Sequence, residues 1–392
     1  MKLFVVLSRF PYPLEKGDKL RAFHQIRELS IHHEIHLICL TDQPIKDEWK
    51  TAVKPYCHTL HVFKLNKPLI YLNTAKQFFT ERPYQVGYFY QGSIQRKINQ
   101  LITTLAPDHI YCQLIRTAEY VKHIQHIPKT IDYMDALAKG MLRRAEISTG
   151  IRKRLFLSEA KRLGAYENRI FDYFNHHTII SAQDRKLIQH PESNSITVVE
   201  NGIGEEFLEH VCTAEKTYEL IFVGNLNYPP NIACAEFLVN EILPALTKLN
   251  GSVRVLISGA NPHKRVCNLA GEKVEIRGWV KDIRESYCSG KIFVAPLFIG
   301  TGLQNKLLEA MALGLPCITT GLVNNALGAK ARTDLLLAEN AAEFAEKINL
   351  LLSSRSDAER ISSAGKHFVK TTFSWKKSVE KLNPLFGSSQ IR

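Results

Sequence analysis

The amino-acid sequence predicts an α/β protein with two successive Rossmann-like domains. Short apolar runs alternate with helical stretches along the first half of the 392-residue chain, as in parallel strands that are buried on both faces. The alternation pauses around Pro191–Gly204 and then begins afresh. A chain of this length also exceeds one ordinary hydrophobic core. We therefore expect an N-terminal domain over residues 1–190, a C-terminal domain over 191–370, and a final helix and tail over 371–392 that return to the N-terminal domain.

Apolar segments of strand length mark the predicted strands of each domain. In the first domain they are Lys2–Leu7, Ile35–Leu40, His109–Cys112, Lys129–Tyr133 and Thr178–Ile180, with Ile196–Val199 opening the next section. In the second domain they are Leu220–Gly224, Val253–Ser258, Val274–Arg277, Ile292–Ala295 and Cys317–Thr320. The closing segment TTFSWKKSVEKLNPLF predicts a last helix with Trp375 buried.

The segment Ile299–Thr320 combines a glycine loop, a short helix and a buried strand. Gly300 and Gly302 can adopt backbone angles that other residues avoid, and they leave room for a ligand close to the main chain. Thr301 is predicted to cap the helix. The unpaired N–H groups and the positive dipole end of a helix N-terminus favour phosphate binding. Gly314 has the position of a helix stop signal.

Lys306 and Glu309 are expected to project from one side of this helix, because they lie three residues apart. The ammonium and the helix-start amides can neutralise a diphosphate, and the carboxylate can accept hydrogen bonds from ribose hydroxyls. The alternative is an ordinary surface ion pair at helical spacing, which stabilises a helix by only a few tenths of a kcal/mol. Leu307, Leu308 and Met311 are predicted to pack inward.

Further glycine and polar residues follow predicted strands, where ligands bind in open α/β sheets. They are Gly17 and, in the next helix, Arg21; Asp132 and Asp135; Gly224 and Asn225; Gly259; and Gly278, Trp279 and Val280. A turn or a helix cap explains any one of them alone. Their convergence at the edges of two sheets indicates a ligand site.

The net charge of +13 favours nucleic acid, an anionic membrane surface or an anionic substrate as partner. Charge is most uneven over Lys139–Arg162, where cations alternate with apolar residues. Such a basic amphipathic segment can lie on anionic lipid headgroups; a solvated helix face remains the alternative. Phe156 is the only aromatic residue of this segment, which disfavours nucleic-acid binding.

The eight cysteines are scattered and form no CxxC pair. We expect buried thiols in a reducing cytoplasm rather than disulfides or zinc ligands. No apolar run approaches the length of about 20 residues that a membrane-spanning helix needs. Arg9 interrupts the first apolar run, which therefore predicts a strand rather than a signal peptide.

Six segments of the chain resemble GT-B glycosyltransferases of the large retaining family that uses nucleotide-sugar donors, the group 1 or family 4 type. They are the loop at Gly17, VVENGIGEEF, FVGNLNYPPN, RGWVKD, GTGLQNKLLEAMALGLPCITT and the closing FSW helix. The forms FVGNLNYPPN and LQNKLLEAMA are similar to a sugar-transferase subgroup associated with exopolysaccharide gene clusters. The resemblance covers nearly the whole chain. It implies two Rossmann-like domains that face each other across a cleft, the first binding the acceptor and the second the nucleotide sugar.

The resemblance also implies a role for each motif residue. Glu309 would hold the donor ribose, and Lys306 would hold the diphosphate together with the amides around Leu303, Gln304 and Asn305. Thr301, Gly302, Gly224 and Asn225 would line the donor site, and Gly278, Trp279 and Val280 the nucleobase. Gly17 would let its loop approach the donor phosphates, Asp135 would lie near the sugar and acceptor, and Arg21 and Asp132 would lie on the acceptor or phosphate side.

The implied reaction is hexosyl transfer to an acceptor hydroxyl with retained anomeric configuration, without a metal or other cofactor. The acceptor would be a glycan or a lipid-linked molecule, and a soluble acceptor remains an alternative. We expect a cytoplasmic enzyme, and for a lipid-linked acceptor the basic segment predicts peripheral attachment to the inner face of the cell membrane. Two departures bear on the chemistry: Thr301 replaces a carboxylate that many relatives carry, and Asn225–Tyr228 supply no cation. An inactive nucleotide-sugar-binding protein and a GT-B enzyme that epimerises or phosphorolyses its substrate remain alternatives.

Overall fold

The computed structural model describes residues 1–14, 16–146, 148–213, 215–251, 253–298 and 303–387, the side chain of Asn250 excepted. The chain divides into two compact units, one of Met1–Glu200 with the chain from Trp375 onward and one of Asn201–Ser374. Both are α/β units with a parallel sheet, as the sequence predicts.

In the first unit the described residues form a seven-stranded parallel sheet. Its strands are β1 (Lys2–Leu7), β2 (Glu34–Thr41), β3 (Thr59–Lys64), β4 (His109–Gln113), β5 (Lys129–Asp132), β6 (His176–Ile179) and β7 (Thr197–Val198). The order across the sheet is β3-β2-β1-β4-β5-β6-β7. Its helices are α1 (Gly17–Leu29), α2 (Asp47–Val53), α3 (Lys67–Lys76), α4 (Tyr84–Phe89), α5 (Gly92–Leu105), α6 (Leu137–Glu146), α7 (Gly150–Phe171) and α8 (Ala182–Arg185).

The second unit carries a six-stranded parallel sheet in its described residues. Its strands are β8 (Tyr218–Val223), β9 (Val255–Ser258), β10 (Val274–Arg277), β11 (Gly290–Ala295), β12 (Cys317–Thr319) and β13 (Leu336–Leu337), in the order β10-β9-β8-β11-β12-β13. Its helices are α9 (Glu205–Leu208), α10 (Pro229–Phe237), α11 (Leu243–Asn250), α12 (Lys264–Cys267), α13 (Ile283–Cys288), α14 (Asn305–Ala312), α15 (Gly321–Leu327), α16 (Ala341–Ser353) and α17 (Arg355–Thr372).

The edge strands differ from the sequence prediction. The sequence did not predict β3 or β13, because β3 is only partly buried and β13 has two residues. The segment Ile196–Val199 was assigned to the second domain, but its residues Thr197 and Val198 pair with β6. Because β7 pairs with β6, the first unit extends to Glu200, beyond the predicted boundary at residue 190.

The end of the chain belongs to the first unit and forms α18 (Trp375–Glu380) and α19 (Asn383–Gly387). Trp375 is buried, as predicted, and its ring stacks on His24 of α1 with 4.9 Å between ring centroids. The tail segment of the first unit therefore starts at Trp375, not at residue 371 as predicted.

The prediction of thiols throughout is wrong for one pair of cysteines. Cys212 and Cys288 form a disulfide with 5.2 Å between their Cα atoms, within the range that such a bond requires. His210 lies close enough to complete a group of three metal-ligating side chains, but the two sulfur atoms bind each other. Among the described residues no helix combines the length and apolar character needed to cross a membrane.

Candidate functional site

The site in the second unit is organised by the beginning of α14. The helix starts at Asn305 with Gln304 as its N-cap, so the helix begins later in the chain than predicted. The predicted cap Thr301 and the loop residues Gly300 and Gly302 lie outside the described residues. Leu303 precedes the cap and packs against the core of the unit.

The remaining predictions for this helix are confirmed. Leu307, Leu308 and Met311 are buried in the core of the unit. Gly314 follows the helix with a φ of 75°, a left-handed conformation that suits glycine at a helix end. This inward packing leaves Lys306 and Glu309 on the less buried side of α14.

The Lys306 ammonium is held by neutral amide oxygens. Its Nζ donates to Asn231 Oδ1 at 2.7 Å and to Gln304 Oε1 at 3.1 Å. Burial lowers the pKa of Lys306 to about 8, although Cys234 and Glu309 act in the opposite direction. Among the residues that the structure describes, the hydrogen-bond partners of Nζ are these two amide oxygens, and no carboxylate forms an ion pair with it. The charge is therefore positioned without being neutralised by a contact ion pair, which suits an anionic ligand.

Glycine at two strand ends makes this arrangement possible. A Cβ atom on Gly224 would lie 2.8 Å from Asn231 Nδ2 and 3.3 Å from Lys306 Cε. Gly259 has a φ of 148°, and a Cβ atom there would lie 1.7 Å from the Gly224 carbonyl oxygen. A side chain at either position would displace the strand end or the lysine. Asn225 contributes its carbonyl oxygen, which accepts a hydrogen bond of 2.9 Å from Asn231 Nδ2.

Glu309 is oriented by a buried tyrosine that the sequence analysis missed. The Tyr287 hydroxyl donates to Glu309 Oε2 at 2.7 Å and lies 3.2 Å from the Lys306 carbonyl oxygen. Desolvation raises the pKa of Glu309, whereas the Tyr287 hydrogen bond and the Lys306 charge lower it. Tyr287 is fully buried near the end of α13. A single tyrosine in a short helix carries no sequence signal for this contact.

The linker segment VVENGIGEEF, which contains Asn201 and Gly202, also contacts α14. Asn201 is buried, and its Nδ2 lies 3.4 Å from the Asn305 Oδ1 atom. The negative charge of Glu206, in the first turn of α9, also raises the pKa of Glu309. The linker motif is thus part of the same site as Lys306 and Glu309.

The predicted nucleobase loop follows β10. Gly278, Trp279 and Val280 lie between this strand and Asp282, which caps α13 by accepting from Arg284 N at 3.0 Å. The Trp279 side chain is 63% exposed. The loop is therefore accessible to a ligand, and its nucleobase role stays a prediction.

In the first unit, the prediction that Arg21 and Asp132 face a ligand is wrong. Arg21 donates from Nε to Asp132 Oδ2 at 2.7 Å and from Nη2 to Oδ1 at 3.1 Å, and both side chains are fully buried. Arg21 Nη1 also donates to the Val199 carbonyl oxygen at 2.7 Å. Arg21 lies on the inner face of α1, so its charge is compensated inside the unit and does not reach a ligand.

Asp135 and Gly17 lie where β5 and β1 end. Gly17 begins α1, and a Cβ atom there would lie 3.4 Å from Met134 Cε. Asp135 keeps access to solvent. Desolvation and the neighbouring Asp184 raise its pKa to about 6, while Arg116 opposes them. Arg116 donates from Nε and Nη2 to Gln85 Oε1 at 2.9 and 2.6 Å. It is a cation near Asp135 that the sequence analysis missed.

Comparisons with known proteins point to one family. Residues 217–354 match the family described as glycosyl transferases group 1. An uncharacterized 44.6 kDa protein in the cps region of Klebsiella pneumoniae is 23% identical over 96% of this chain and 97% of its own length. Spore coat protein SA of Bacillus subtilis is 31% identical over 28% of this chain and 30% of its own length.

Solved structures show the same fold. Sucrose-phosphate synthase from Thermosynechococcus elongatus aligns with a TM-score of 0.69 and 13% identity over 98% of both chains. Anabaena Alr3699/HepE, solved with UDP and glucose, aligns with a TM-score of 0.66 and 12% identity over 98% of this chain and 99% of its own. The chain therefore has the GT-B fold, and residues 217–354 of its second unit match the group 1 glycosyl transferases.

Proposed function

We propose that this protein is a glycosyltransferase that moves a hexose from a nucleotide-diphosphate sugar to an acceptor hydroxyl with retention, in the synthesis of a bacterial polysaccharide. The observation that carries the proposal is the Lys306 ammonium, held by two amide oxygens at the start of α14 and next to Glu309. The relative from a cps region supports the polysaccharide context. The solved complex of HepE with UDP and glucose supports a nucleotide sugar as donor.

Departure of the nucleotide diphosphate is the demanding step in this reaction. The bond between the anomeric carbon and the diphosphate oxygen breaks, and negative charge grows on that oxygen. Lys306 and the first-turn amides of α14 are preorganised donors for this charge. The role that a metal ion takes in other phosphate chemistry falls here to these groups. Retention follows if the acceptor oxygen attacks from the face that the diphosphate leaves and gives its proton to the departing oxygen.

Glu309 is proposed to hold the donor through the ribose. While ionised, its carboxylate is an acceptor at both oxygens, and Tyr287 donates to one of them. Asp135 of the first unit is proposed to act near the sugar and acceptor, and the main chain of Gly278–Val280 beside the base. These roles rest on the family resemblance; Asp135 and Trp279 are exposed, and Glu309 is half-buried.

A donor panel tests the proposal. Purified protein is melted with nucleotide sugars that differ in base and sugar, and the stabilising compounds are then incubated alone, with phosphate and with an acceptor extract. We expect one donor to raise Tm and its sugar to appear on the acceptor. Epimerised donor without transfer would instead favour an epimerase, and stabilisation without turnover a binding protein. If no nucleotide sugar of the panel raised Tm, the proposal would be contradicted.

Substitution of Tyr287 by phenylalanine is expected to shift the acid limb of the pH profile. The change removes a hydrogen bond that lowers the pKa of Glu309, so this pKa rises further. As pH falls, the carboxylate is then lost at a higher pH, and kcat/KM for the donor should decline earlier. The profile of Tyr173→Phe, a change at an exposed tyrosine of the first unit, serves as control. Coinciding acid limbs in Tyr287→Phe and wild type would remove the proposed role of Glu309.

We also propose that the enzyme acts in the cytoplasm on a lipid-linked acceptor and attaches to the inner face of the membrane. Support comes from α6 and from the first turns of α7, which together carry most of the basic segment 139–162. Arg152, Lys153 and Arg154 are exposed there, beside an Ile151 side chain that is 75% exposed. Exposed cations beside apolar side chains suit an anionic membrane surface.

A further inference from the structure

A turn of the first unit displays two phenylalanines to solvent. The short 3-10 turn Gln77–Phe79 follows α3, and Phe79 is 92% and Phe78 55% exposed. On α3 itself, Tyr71 is 75% and Leu72 64% exposed. Large exposed apolar patches on a protein mark interaction sites, so these four side chains are candidates for one.

The turn is fastened to α7. Arg162 Nη1 donates to the Gln77 carbonyl oxygen at 2.7 Å and also to the carbonyl oxygens of Thr80 and Arg82. Its guanidinium lies 4.9 Å from the centroid of the Tyr84 ring, which in turn lies 4.8 Å from the Phe78 ring. Arg162 is the last cation of the basic segment, for which the sequence left headgroup binding and a solvated helix face open. It is instead occupied in holding the phenylalanine turn in its exposed position.

The same face of α7 continues to the exposed end of the helix. Ile151, Leu155, Ser158 and Arg162 recur at the three-to-four-residue spacing that places side chains on one side of a helix. Ser158 Oγ lies 3.4 Å from the Tyr84 hydroxyl oxygen, so this side of α7 borders the turn. Ile151 is 75% and Leu155 41% exposed. The turn and the outer end of α7 thus share one surface.

Charge on this surface is mostly positive. Exposed cations flank the apolar side chains: Lys64, Lys67 and Lys76 near α3, and Arg152, Lys153 and Arg154 on α7. Glu81 is an exposed acid next to the turn, and its Oε2 lies 3.6 Å from Arg169 Nη2. A surface with apolar side chains between cations matches the boundary between acyl chains and anionic headgroups.

We propose that these residues form a docking face that inserts Phe78, Phe79, Ile151 and Leu155 into the interface of an anionic bilayer. This inference rests on the proposed membrane attachment, and it places the apolar anchor largely outside the basic segment, on the turn after α3. The cations then contribute attraction to the headgroups, worth about a factor of five in partitioning for each charge.

Vesicle flotation tests the docking face. Protein is mixed with vesicles of phosphatidylcholine alone or of phosphatidylcholine with phosphatidylglycerol, and recovery in the floating fraction is measured. We expect wild type to float with the anionic vesicles only. The double variant Phe78→Ser with Phe79→Ser should lose at least about tenfold in partitioning, because two aromatic side chains no longer leave water. Leu249→Ser with Leu350→Ser, at exposed positions outside the docking face, is the matched control.

Each outcome has one meaning. If wild type does not float, or floats equally with neutral vesicles, the anionic bilayer is the wrong partner. If the phenylalanine variant floats like wild type, the turn is not the anchor, and a protein partner becomes the explanation of its exposure. A thermal melt of each variant checks that the variant is folded. Donor-induced stabilisation reports on the second unit, so loss of flotation with retained stabilisation separates failure of docking from failure of the proposed function.

Discussion

Substitution of Lys306 by methionine is expected to lower kcat with the preferred donor by about 10²–10³, the usual cost of losing one preorganised donor to a developing oxyanion. Methionine keeps much of the side-chain volume but removes the ammonium that Asn231 and Gln304 hold. Initial rates at saturating donor measure the effect. Lys248→Met, at an exposed lysine of α11, should leave kcat unchanged.

Dependence on pH distinguishes loss of this charge from a general disturbance of the site. The pKa of Lys306 is lowered to about 8, so in the free enzyme the ammonium is present below this pH and is lost as pH rises through it. We expect kcat/KM to fall on the alkaline side in wild type and this limb to be absent in Lys306→Met. A variant that keeps both the wild-type kcat and the alkaline limb would refute the assigned role.

The largest effect on stability is expected from Asp132→Ala. The change removes the ion pair and both hydrogen bonds between Asp132 and the fully buried Arg21 guanidinium, and breaking such a buried pair typically costs about 3–5 kcal/mol. Urea unfolding, followed by tryptophan fluorescence, measures the free energy of unfolding. Asp172→Ala removes an exposed carboxylate paired with His190 at 3.3 Å and should cost at most about 1 kcal/mol.

Two results would contradict this account of the pair. Asp132→Ala could unfold at the urea concentration of wild type, which would show that the charge is solvated in the native state. Alternatively, Asp132→Ala could abolish stabilisation by the donor without loss of stability, which would return the residue to a ligand site. Replacement of both partners by leucine should recover part of the lost stability, since neither charge of the pair is then buried without the other.

The sequence alone determined the fold class and the placement of Lys306 and Glu309 in the candidate site. Strands buried on both faces appear as apolar runs, and β1 and β10 have the predicted ends. The position of Lys306 and Glu309 on one side of α14 follows from helix periodicity. Both features are local, so neighbouring residues carry enough information to predict them.

Tertiary structure alone decided which charged and polar groups meet. Arg21 and Asp132 are 111 residues apart in sequence, and sheet register and the packing of α1 bring them together. The Tyr287–Glu309 hydrogen bond, the Cys212–Cys288 disulfide and the Arg162 contacts that fasten the phenylalanine turn are also distant in sequence. Such partners cannot be predicted from sequence periodicity, because folding brings distant segments together. Burial then requires the polar and charged groups among them to be paired.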